Sequence, residues 1–219
     1  MKTPKYTQAK RSLGTRIFKE LSSTAVIVVG VLAVKSSVAS TYHVPTSSMI
    51  PTIQPGDRIV SDQKAFGLRL PFSNWFKDDV ENPQYGDIVI FESPSDGKNL
   101  VKRVVALEDD IVEIRNGKFI LNGMPAIWED TQSIGKDSVV LEEQIGNSVR
   151  KIQFSKSRPY LRNFAATRIP KGHFFALGDN RDNSADSRVI GAIPMDQLKG
   201  RAHHVFFSTH DLKRTGKRL

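Results

Sequence analysis

An apolar run near the N-terminus constrains the fold of this chain more than any other feature. It extends from Thr24 to Val34, and residues of similar character continue after Lys35. Six basic residues and one acidic residue, Glu20, precede it. A basic flank of this kind stays on the cytoplasmic side of a membrane, so residues after the run are expected on the far side.

Three interpretations of the run remain open on hydropathy alone. It has the length of the apolar part of a cleavable secretion signal, with small residues suited to cleavage at positions 38–40. It could also be a core helix of a soluble protein, which is the ordinary meaning of ten to fourteen apolar residues. A single spanning helix from residue 21 to about residue 42 is the third possibility, if Lys35 extends toward the outer interface.

After residue 42 the pattern changes to short strands separated by turns. Gly56-Asp57 and Gly86-Asp87 each precede an apolar run, and Asn116-Gly117 and Asn122-Gly123 bracket residues 118–121 as in a β-hairpin. Further strand-like runs lie at residues 100–107, 111–114, 173–177 and 203–207. We therefore predict a mainly β domain over residues 42–219.

The stretch over residues 129–170 is more polar and less periodic than the rest of the domain. We predict that it belongs to a cap or insertion on the β core, at about residues 116–171. The basic segment over residues 213–219 is expected to be a solvated end, near anionic lipid. The chain contains no cysteine, which excludes disulfides, thiolate nucleophiles and cysteine-rich zinc sites.

Two short segments hold candidate catalytic side chains. Residues 45–52 read Pro-Thr-Ser-Ser-Met-Ile-Pro-Thr, which taken alone indicates only a loop. Lys102 lies in a strand whose two faces are both largely apolar. Such a lysine is usually an edge-strand residue whose amine reaches water. If it is buried instead, its pKa falls, and the neutral amine can take a proton from a serine hydroxyl.

A third segment, residues 178–188, reads Gly-Asp-Asn-Arg-Asp-Asn-Ser-Ala-Asp-Ser-Arg. Its composition is typical of a polar loop. A calcium loop is disfavoured, because the closing glutamate is missing at the required interval and two arginines are present. Asp186 and Arg188 could pair to brace the loop and leave Ser184 free to hydrogen-bond a neighbouring amine.

Taken in order, the segments PTSSMIPT, GDIVIF, VKRVVAL and GDNRDNSADSR closely resemble the conserved boxes of type I signal peptidases. The match extends from the apolar run to about Ile193. The resemblance implies a membrane-bound serine endopeptidase with a Ser/Lys dyad on a β-rich catalytic core. Such an enzyme removes N-terminal signal peptides from exported preproteins after Ala-x-Ala-like sites.

The resemblance assigns roles to individual residues. Ser48 matches the nucleophile and Lys102 the general base, while Thr46 and the backbone N–H of Ser48 match the oxyanion hole. Ser184 matches the serine that orients the lysine amine. The residues that support the loop at 178–188 are matched by Gly178, Asp186 and Arg188. No metal and no organic cofactor are implied.

Two positions depart from the family pattern. Thr46 stands where many members have serine, which keeps the hydroxyl and adds a methyl group. Residues 106–110 read Ala-Leu-Glu-Asp-Asp in place of the usual Gly-Leu-Pro-Gly-Asp. The geometry of that second turn is therefore open.

The resemblance also favours an uncleaved anchor. We expect a cytoplasmic segment at residues 1–21, a transmembrane helix at 22–41 and a catalytic domain at 42–219 on the outer side of the cytoplasmic membrane. The expected partners are secretory preproteins and membrane phospholipid, with no nucleic acid despite a net charge of +9. The oligomeric state stays open. Six apolar residues are expected to form either an apolar rim of the active site that faces the bilayer or an ordinary loop packed against the core. They are Phe66, Leu68, Leu70, Phe72, Trp75 and Phe76.

Other functions fit the sequence less well. A Ser-His-Asp hydrolase would need one of five histidines as its base, and none of them lies in a triad motif. A self-cleaving repressor domain shares Ser/Lys chemistry but would carry a helix-turn-helix instead of an apolar run. A relative specialised for one substrate, such as a plasmid-transfer pilin, and a non-catalytic membrane-anchored β-domain remain as alternatives.

Overall fold

The computed structural model describes residues 39–62, 82–134 and 136–219, together with Phe18. Nearly all regular structure in these ranges is antiparallel β-sheet. The prediction of a mainly β fold is therefore confirmed.

A seven-stranded sheet forms the centre of the molecule. Its strands lie in the spatial order β1-β2-β14-β3-β4-β12-β13. They are β1 Ala39–His43, β2 Asp57–Asp62, β3 Ile88–Glu92, β4 Asn99–Ala106, β12 His173–Leu177, β13 Ile193–Pro194 and β14 Leu198–Ser208.

Two smaller sheets are built from the chain between β4 and β12. Four strands lie in the order β11-β5-β6-β7, namely β5 Ile111–Arg115, β6 Lys118–Leu121, β7 Met124–Pro125 and β11 Phe164–Arg168. Three more lie in the order β10-β9-β8, namely β8 Ile127–Ile134, β9 Ser138–Ile145 and β10 Ser148–Ser155. We call residues 111–168 the cap. It starts a few residues before the predicted insertion.

Short helical segments complete the described chain. One α-helix, α1, spans Ser187–Ile190, and two 3-10 turns cover Met195–Gln197 and Leu212–Arg214.

The central sheet is buried on both faces at β3, where the four consecutive residues 88–91 are all apolar and buried. In β3, Ile88 and Ile90 pack on one face, while Val89 and Phe91 pack on the other with Phe174. A continuous apolar run of this length is typical of a strand covered on both sides.

On the side of β5, the cap and the central sheet share one hydrophobic core. Val105 and Phe175 from the central sheet form one buried cluster with Val112, Phe119 and Ile145 from the cap. This shared cluster fixes the cap against the strands that hold the candidate site.

The predicted hairpin around residues 118–121 is confirmed. Strand β6 pairs with β5 on one side and with β7 on the other. Asn116 and Gly117 have φ values of 50° and 85°, and Asn122 and Gly123 have 53° and 81°. Two consecutive positive φ angles define the type I′ turn that Asn-Gly favours.

Strand β1 begins at Ala39 and pairs with β2 from Ala39 to His43. A helix cannot continue through paired residues, so the predicted anchor boundary at residue 41 is too late. Residues 22–38 and the six apolar residues between 66 and 76 lie outside the described ranges. Within those ranges, no helix combines the length and apolar character needed to span a bilayer.

The C-terminal segment, residues 211–219, is largely exposed but is fixed to the domain at Arg214 and Leu219. Arg214 is buried and its guanidinium grips the buried carboxylate of Asp57, with Nη2 2.7 Å from Oδ2. The N–H of Leu219 donates to the carbonyl oxygen of His203, and its side chain packs against the core. The prediction of a solvated end therefore holds for most side chains of residues 213–219 and is wrong for Arg214, whose aspartate partner lies far away in the sequence.

Candidate active site

Ser48 lies in a tight turn directly after β1. The turn is anchored by Met49 and Ile53, which are fully buried beside Val44 in one core cluster. The N–H of Ile53 donates to the carbonyl oxygen of Met49, which closes the turn at 2.9 Å. Apolar side chains on both sides of Ser48 thus hold its hydroxyl against β4.

Lys102 is almost fully enclosed in β4, with a relative exposure of 3%. Its Nζ donates to Ser48 Oγ at 2.8 Å and to the carbonyl oxygen of Val101 at 2.9 Å. The two predicted reacting groups are 54 residues apart in sequence. The fold brings them into direct hydrogen-bond contact.

Burial lowers the pKa of Lys102 to about 8, because the enclosed site disfavours the ammonium form. The charges of Asp186 and Asp179 oppose part of this effect. Both carboxylates are themselves paired with arginines. A lysine with a pKa near 8 supplies a useful neutral fraction near pH 7.

Thr46 lies beside the serine hydroxyl. Its Oγ1 is 3.4 Å from Ser48 Oγ, and the residue is exposed. A hydroxyl at the open edge of the serine turn can reach a group that enters from solvent. The geometry therefore brings Thr46, Ser48 and Lys102 together.

Gly178 and Ser184 are in close contact behind the dyad. A Cβ placed on Gly178 would lie 2.6 Å from both Ser184 Cβ and the carbonyl oxygen of Ser48. No side chain larger than hydrogen fits there without movement. Ser184 is buried, and its Oγ makes no hydrogen bond with the described residues.

Asp186 and Arg188 form a buried two-point ion pair. Arg188 Nε donates to Asp186 Oδ1 and Arg188 Nη2 to Oδ2, each at 2.8 Å. The same carboxylate accepts the N–H of Gly178 and caps helix α1. Arg188 also donates to the carbonyl oxygen of Arg181. The pair thus ties both ends of loop 178–188 together.

Three further residues brace the site, and the sequence had not indicated a role for any of them. Arg103, next to Lys102 but on the opposite face of β4, donates Nε and Nη2 to Asp179 at 2.8 and 2.7 Å. The N–H of Asn180 donates to the carbonyl oxygen of Ser48, and its Nδ2 to that of Ser47. The alternation in β4 was the available signal, since a buried arginine requires a carboxylate partner.

No group of three or more His, Asp or Glu side chains in the described ranges lies close enough to hold a metal ion. The described hydrogen bonds of Ser48 Oγ involve Lys102 Nζ and Thr46 Oγ1. The arrangement is a serine hydroxyl facing an enclosed amine, with a second hydroxyl at its open side. This is the geometry required for attack on a carbonyl carbon.

Comparisons with known proteins agree with the chemistry of this site. The family model described as "Signal peptidase, peptidase S26" matches residues 17–207. The signal peptidase I of Pseudomonas aeruginosa is 33% identical over 84% of this chain and 70% of its own length. That of Pseudomonas fluorescens is 31% identical over 81% and 68%, respectively.

One solved structure is also similar. A signal peptidase I from Enterococcus faecalis V583 is 28% identical and is covered over 98% of its length by 56% of this chain, with a TM-score of 0.37. The family assignment rests on the sequence matches rather than on this superposition.

Proposed function

Because this chain belongs to the signal peptidase, peptidase S26, family and is a serine endopeptidase that removes signal peptides from preproteins, we propose that it does so with Ser48 as nucleophile and Lys102 as general base. The observation that carries the proposal is the 2.8 Å contact between Lys102 Nζ and Ser48 Oγ. This contact lies in a site where burial keeps the lysine pKa near 8.

The reaction starts with neutral Lys102. Its amine accepts the Ser48 hydroxyl proton while Oγ attacks the carbonyl carbon at the cleavage site. The resulting ammonium gives its proton to the leaving amine, which departs and leaves an acyl-enzyme. Water, deprotonated by Lys102, then attacks the acyl carbon, the bond to Ser48 Oγ breaks, and the lysine ammonium returns its proton to Oγ as the signal peptide leaves.

The developing oxyanion is stabilised by the Ser48 N–H and the Thr46 hydroxyl. Support comes from Thr46 Oγ1, which lies at the open side of the dyad within 3.4 Å of Ser48 Oγ. Donors fixed before the reaction are usually among the largest sources of transition-state stabilisation. The serine turn supplies both donors.

Ser184 orients the lysine amine in this proposal, although it makes no described hydrogen bond in the resting arrangement. When Ser48 Oγ bonds to the substrate, Lys102 loses one acceptor and Ser184 can replace it. Gly178, Asp186 and Arg188 keep Ser184 and the Ser48 main chain in close contact.

The membrane arrangement belongs to the same proposal. Residues 1–21 lie in the cytoplasm, the apolar run before Ala39 is a single anchor, and the catalytic domain contacts phospholipid on the outer side. The basic flank and the apolar run support this topology. After alkaline carbonate washing, the full-length protein should stay in the membrane fraction, whereas a soluble form starting near Ser40 would indicate a cleaved signal.

The decisive experiment uses purified full-length protein in detergent and a preprotein with an Ala-x-Ala site. Ser48→Ala and Lys102→Ala should each abolish cleavage, and the double variant should be no worse, because the two residues act as one unit. Thr41→Ala, on edge strand β1, serves as the control that should keep activity. Cleavage by either single variant would sink the assignment of the dyad.

A further inference from the structure

A buried charge cluster lies where the cap meets loop 178–188, which we call the catalytic loop. Glu143 of β9 is fully buried, and its carboxylate accepts hydrogen bonds from Arg181 Nη1 at 2.9 Å and Arg150 Nε at 3.1 Å. Arg181 Nη2 donates to Oε2, and the Trp128 indole N–H donates to Oε1 at 3.3 Å. One carboxylate therefore serves two guanidinium groups.

The cluster has more donors than acceptors. Arg150 Nη1 and Arg181 Nε have no hydrogen-bond partner among the described residues, and Arg150 Nη2 makes only an ion contact with the Glu143 carboxylate at 3.0 Å. Burial would raise the pKa of Glu143, but the charges of Arg181 and Arg150 outweigh it and hold that pKa at about 2. Glu143 is therefore the anion that keeps two buried cations together.

Arg181 connects this cluster to the catalytic loop. It ends a three-residue stretch, 179–181, that hydrogen-bonds on both sides. Toward the cap, Gln153 of β10 donates its N–H to the carbonyl oxygen of Asp179 and accepts the N–H of Arg181. Toward the site, the N–H of Asn180 donates to the carbonyl oxygen of Ser48 at 3.0 Å. Stretch 179–181 thus lies between the cap and the nucleophile's main chain.

Loss of Glu143 would leave Arg181 and Arg150 as like charges in a buried space. Removing one partner from a buried ion cluster is costly because the remaining charge is uncompensated. The repulsion would act across the contact between β10 and stretch 179–181. A displacement there is transmitted to the serine turn through two hydrogen bonds of Asn180, from its N–H to Ser48 and from its Nδ2 to Ser47. Small misplacements of a reacting group slow catalysis strongly.

We propose that Glu143 is a positioning residue for catalysis, which holds Arg181 and stretch 179–181 against the cap so that the main chain of Ser48 is fixed. The proposal rests on the proposed function of Ser48. The described hydrogen bonds of the Glu143 carboxylate come from Arg181, Arg150 and Trp128 and none from the dyad, so the proposed route to Ser48 is through Arg181 and Asn180.

The test compares two neighbouring glutamates of β9 in the full-length protein. Glu143→Gln keeps the shape and removes the charge, and it should lower kcat roughly 10- to 100-fold. KM should stay within about threefold, since the substrate-binding surface is unchanged. Glu142→Gln is the matched control, because Glu142 faces the other side and makes only an exposed 3.7 Å pair with Lys151. Its kcat should not change.

Arg181→Lys provides a second variant that keeps the charge but loses the two-point contact with Glu143. It should lower kcat in the same direction, and it decides the question if Glu143→Gln does not fold. All values are compared per folded molecule, well below the unfolding temperature. If Glu143→Gln and Arg181→Lys lower only the unfolding temperature and keep kcat, Glu143 has a merely structural role and the proposal is overturned.

A double-mutant cycle tests the route. Asn180→Ala removes the Nδ2 hydrogen bond to the carbonyl oxygen of Ser47. Combined with Glu143→Gln, it should cost less than the product of the single effects, because both act on one element. Additive effects would contradict transmission through Asn180. The Ser48→Ala variant separates the two proposals: retained cleavage there overturns the dyad, whereas an inactive Ser48→Ala variant together with an unchanged kcat in Glu143→Gln overturns only the role of Glu143.

Discussion

The catalytic loop, residues 178–188, and the C-terminal segment, residues 211–219, are both polar and rich in charge. Each contains a buried arginine that forms an ion pair with a buried aspartate. Each also contacts the turn that holds Ser48. In the loop, Asp186 and Arg188 are two residues apart. In the C-terminal segment, Arg214 pairs with Asp57 across 157 positions. The local pair could be recognised in the sequence and the distant pair could not.

The two regions also serve different ends. The loop braces the groups around Lys102, whereas the C-terminal segment closes the core beneath Asp57 and donates from Arg214 Nη2 to the carbonyl oxygen of Thr52. We therefore expect substitutions in the C-terminal segment to change stability and substitutions around the dyad to change rate.

The largest expected effect on stability lies at Arg214. Arg214→Met should leave the Asp57 carboxylate buried and without its ion partner, at a cost of about 3 kcal/mol in the free energy of unfolding. The estimate is at the low end because Asp57 Oδ2 still accepts the N–H of Gln54. Urea unfolding of the purified protein measures it. Activity per folded molecule should stay within a few-fold of the parent protein.

Lys213→Met is the matched control, because Lys213 is exposed and contributes only its backbone N–H to Asp211. Its stability should change by less than about 0.5 kcal/mol. Equal stability of the two variants would show that the C-terminal segment does not close the core and would erase the contrast with the loop.

The opposite behaviour is expected at Thr46. Thr46→Val keeps the shape and removes the hydroxyl, so kcat should fall roughly 10²- to 10³-fold, as for other single oxyanion donors. KM should hardly change, because the hydrogen bond strengthens only in the transition state. Steady-state kinetics with a preprotein measure both constants, and the unfolding free energy should be unchanged.

Thr46→Ser is the companion variant, since it keeps the donor and loses only the methyl group. It should keep most of the activity, with a small loss from freer rotation about χ1. If the valine and serine variants are equally active, the hydroxyl is not a donor. The oxyanion would then rest on the Ser48 N–H with another group.

The pH dependence of cleavage should reflect the enclosure of Lys102. The neutral amine is the reactive form, and its pKa is about 8 in the folded protein. Activity should therefore rise about tenfold per pH unit up to pH ~8 and then level off. Measuring kcat/KM from pH 6 to pH 10 tests this, with tryptophan fluorescence as the check that the protein stays folded.

The matched variant for this profile is Thr46→Val, which should lower the whole curve without moving the rising limb. A limb near pH 10.5, the ordinary value for lysine, would contradict the enclosure. It would mean that Lys102 faces water when the enzyme works.

The sequence predicted what depends on local patterns or on a resemblance. The type I′ turns follow from Asn-Gly pairs, and the contact of Ser48 with Lys102 follows from motifs that occur together. The cap strands β8, β9 and β10 could not be recognised, in contrast to the hairpin of β5 and β6. In β9, Leu141, Glu143 and Ile145 alternate on the buried face, so a charged residue occupies a position where an apolar one is expected. Arg150 has the same effect in β10.

Long-range ion pairs were the second feature that the sequence could not predict. Arg103 with Asp179 and Arg214 with Asp57 are 76 and 157 residues apart. Any arginine and any aspartate are chemically suited to pair, so residue type alone does not select the partners. Only the fold brings them together.

The smallest expected effect lies in the turn at residues 106–110, where the resemblance left the geometry open. Asp109 has φ of 67°, in the left-handed region that costs a residue with a Cβ about 1 to 2 kcal/mol. Glycine avoids that cost but loses about 0.4 to 1 kcal/mol through a freer unfolded chain. Asp109→Gly should thus stabilise the protein by roughly 0.5 to 1 kcal/mol.

The aspartate side chain adds little to offset this gain. Its exposed pair with Arg168 spans 3.9 Å, and such pairs contribute almost nothing. The hydrogen bond from Arg168 Nη1 ends on the Asp109 carbonyl oxygen, which glycine retains. Asp109→Ala should leave stability nearly unchanged, because alanine also has a Cβ and meets the same cost at this φ. Urea unfolding of the two variants decides the sign, and a loss of stability in the glycine variant would show that the turn depends on the aspartate carboxylate.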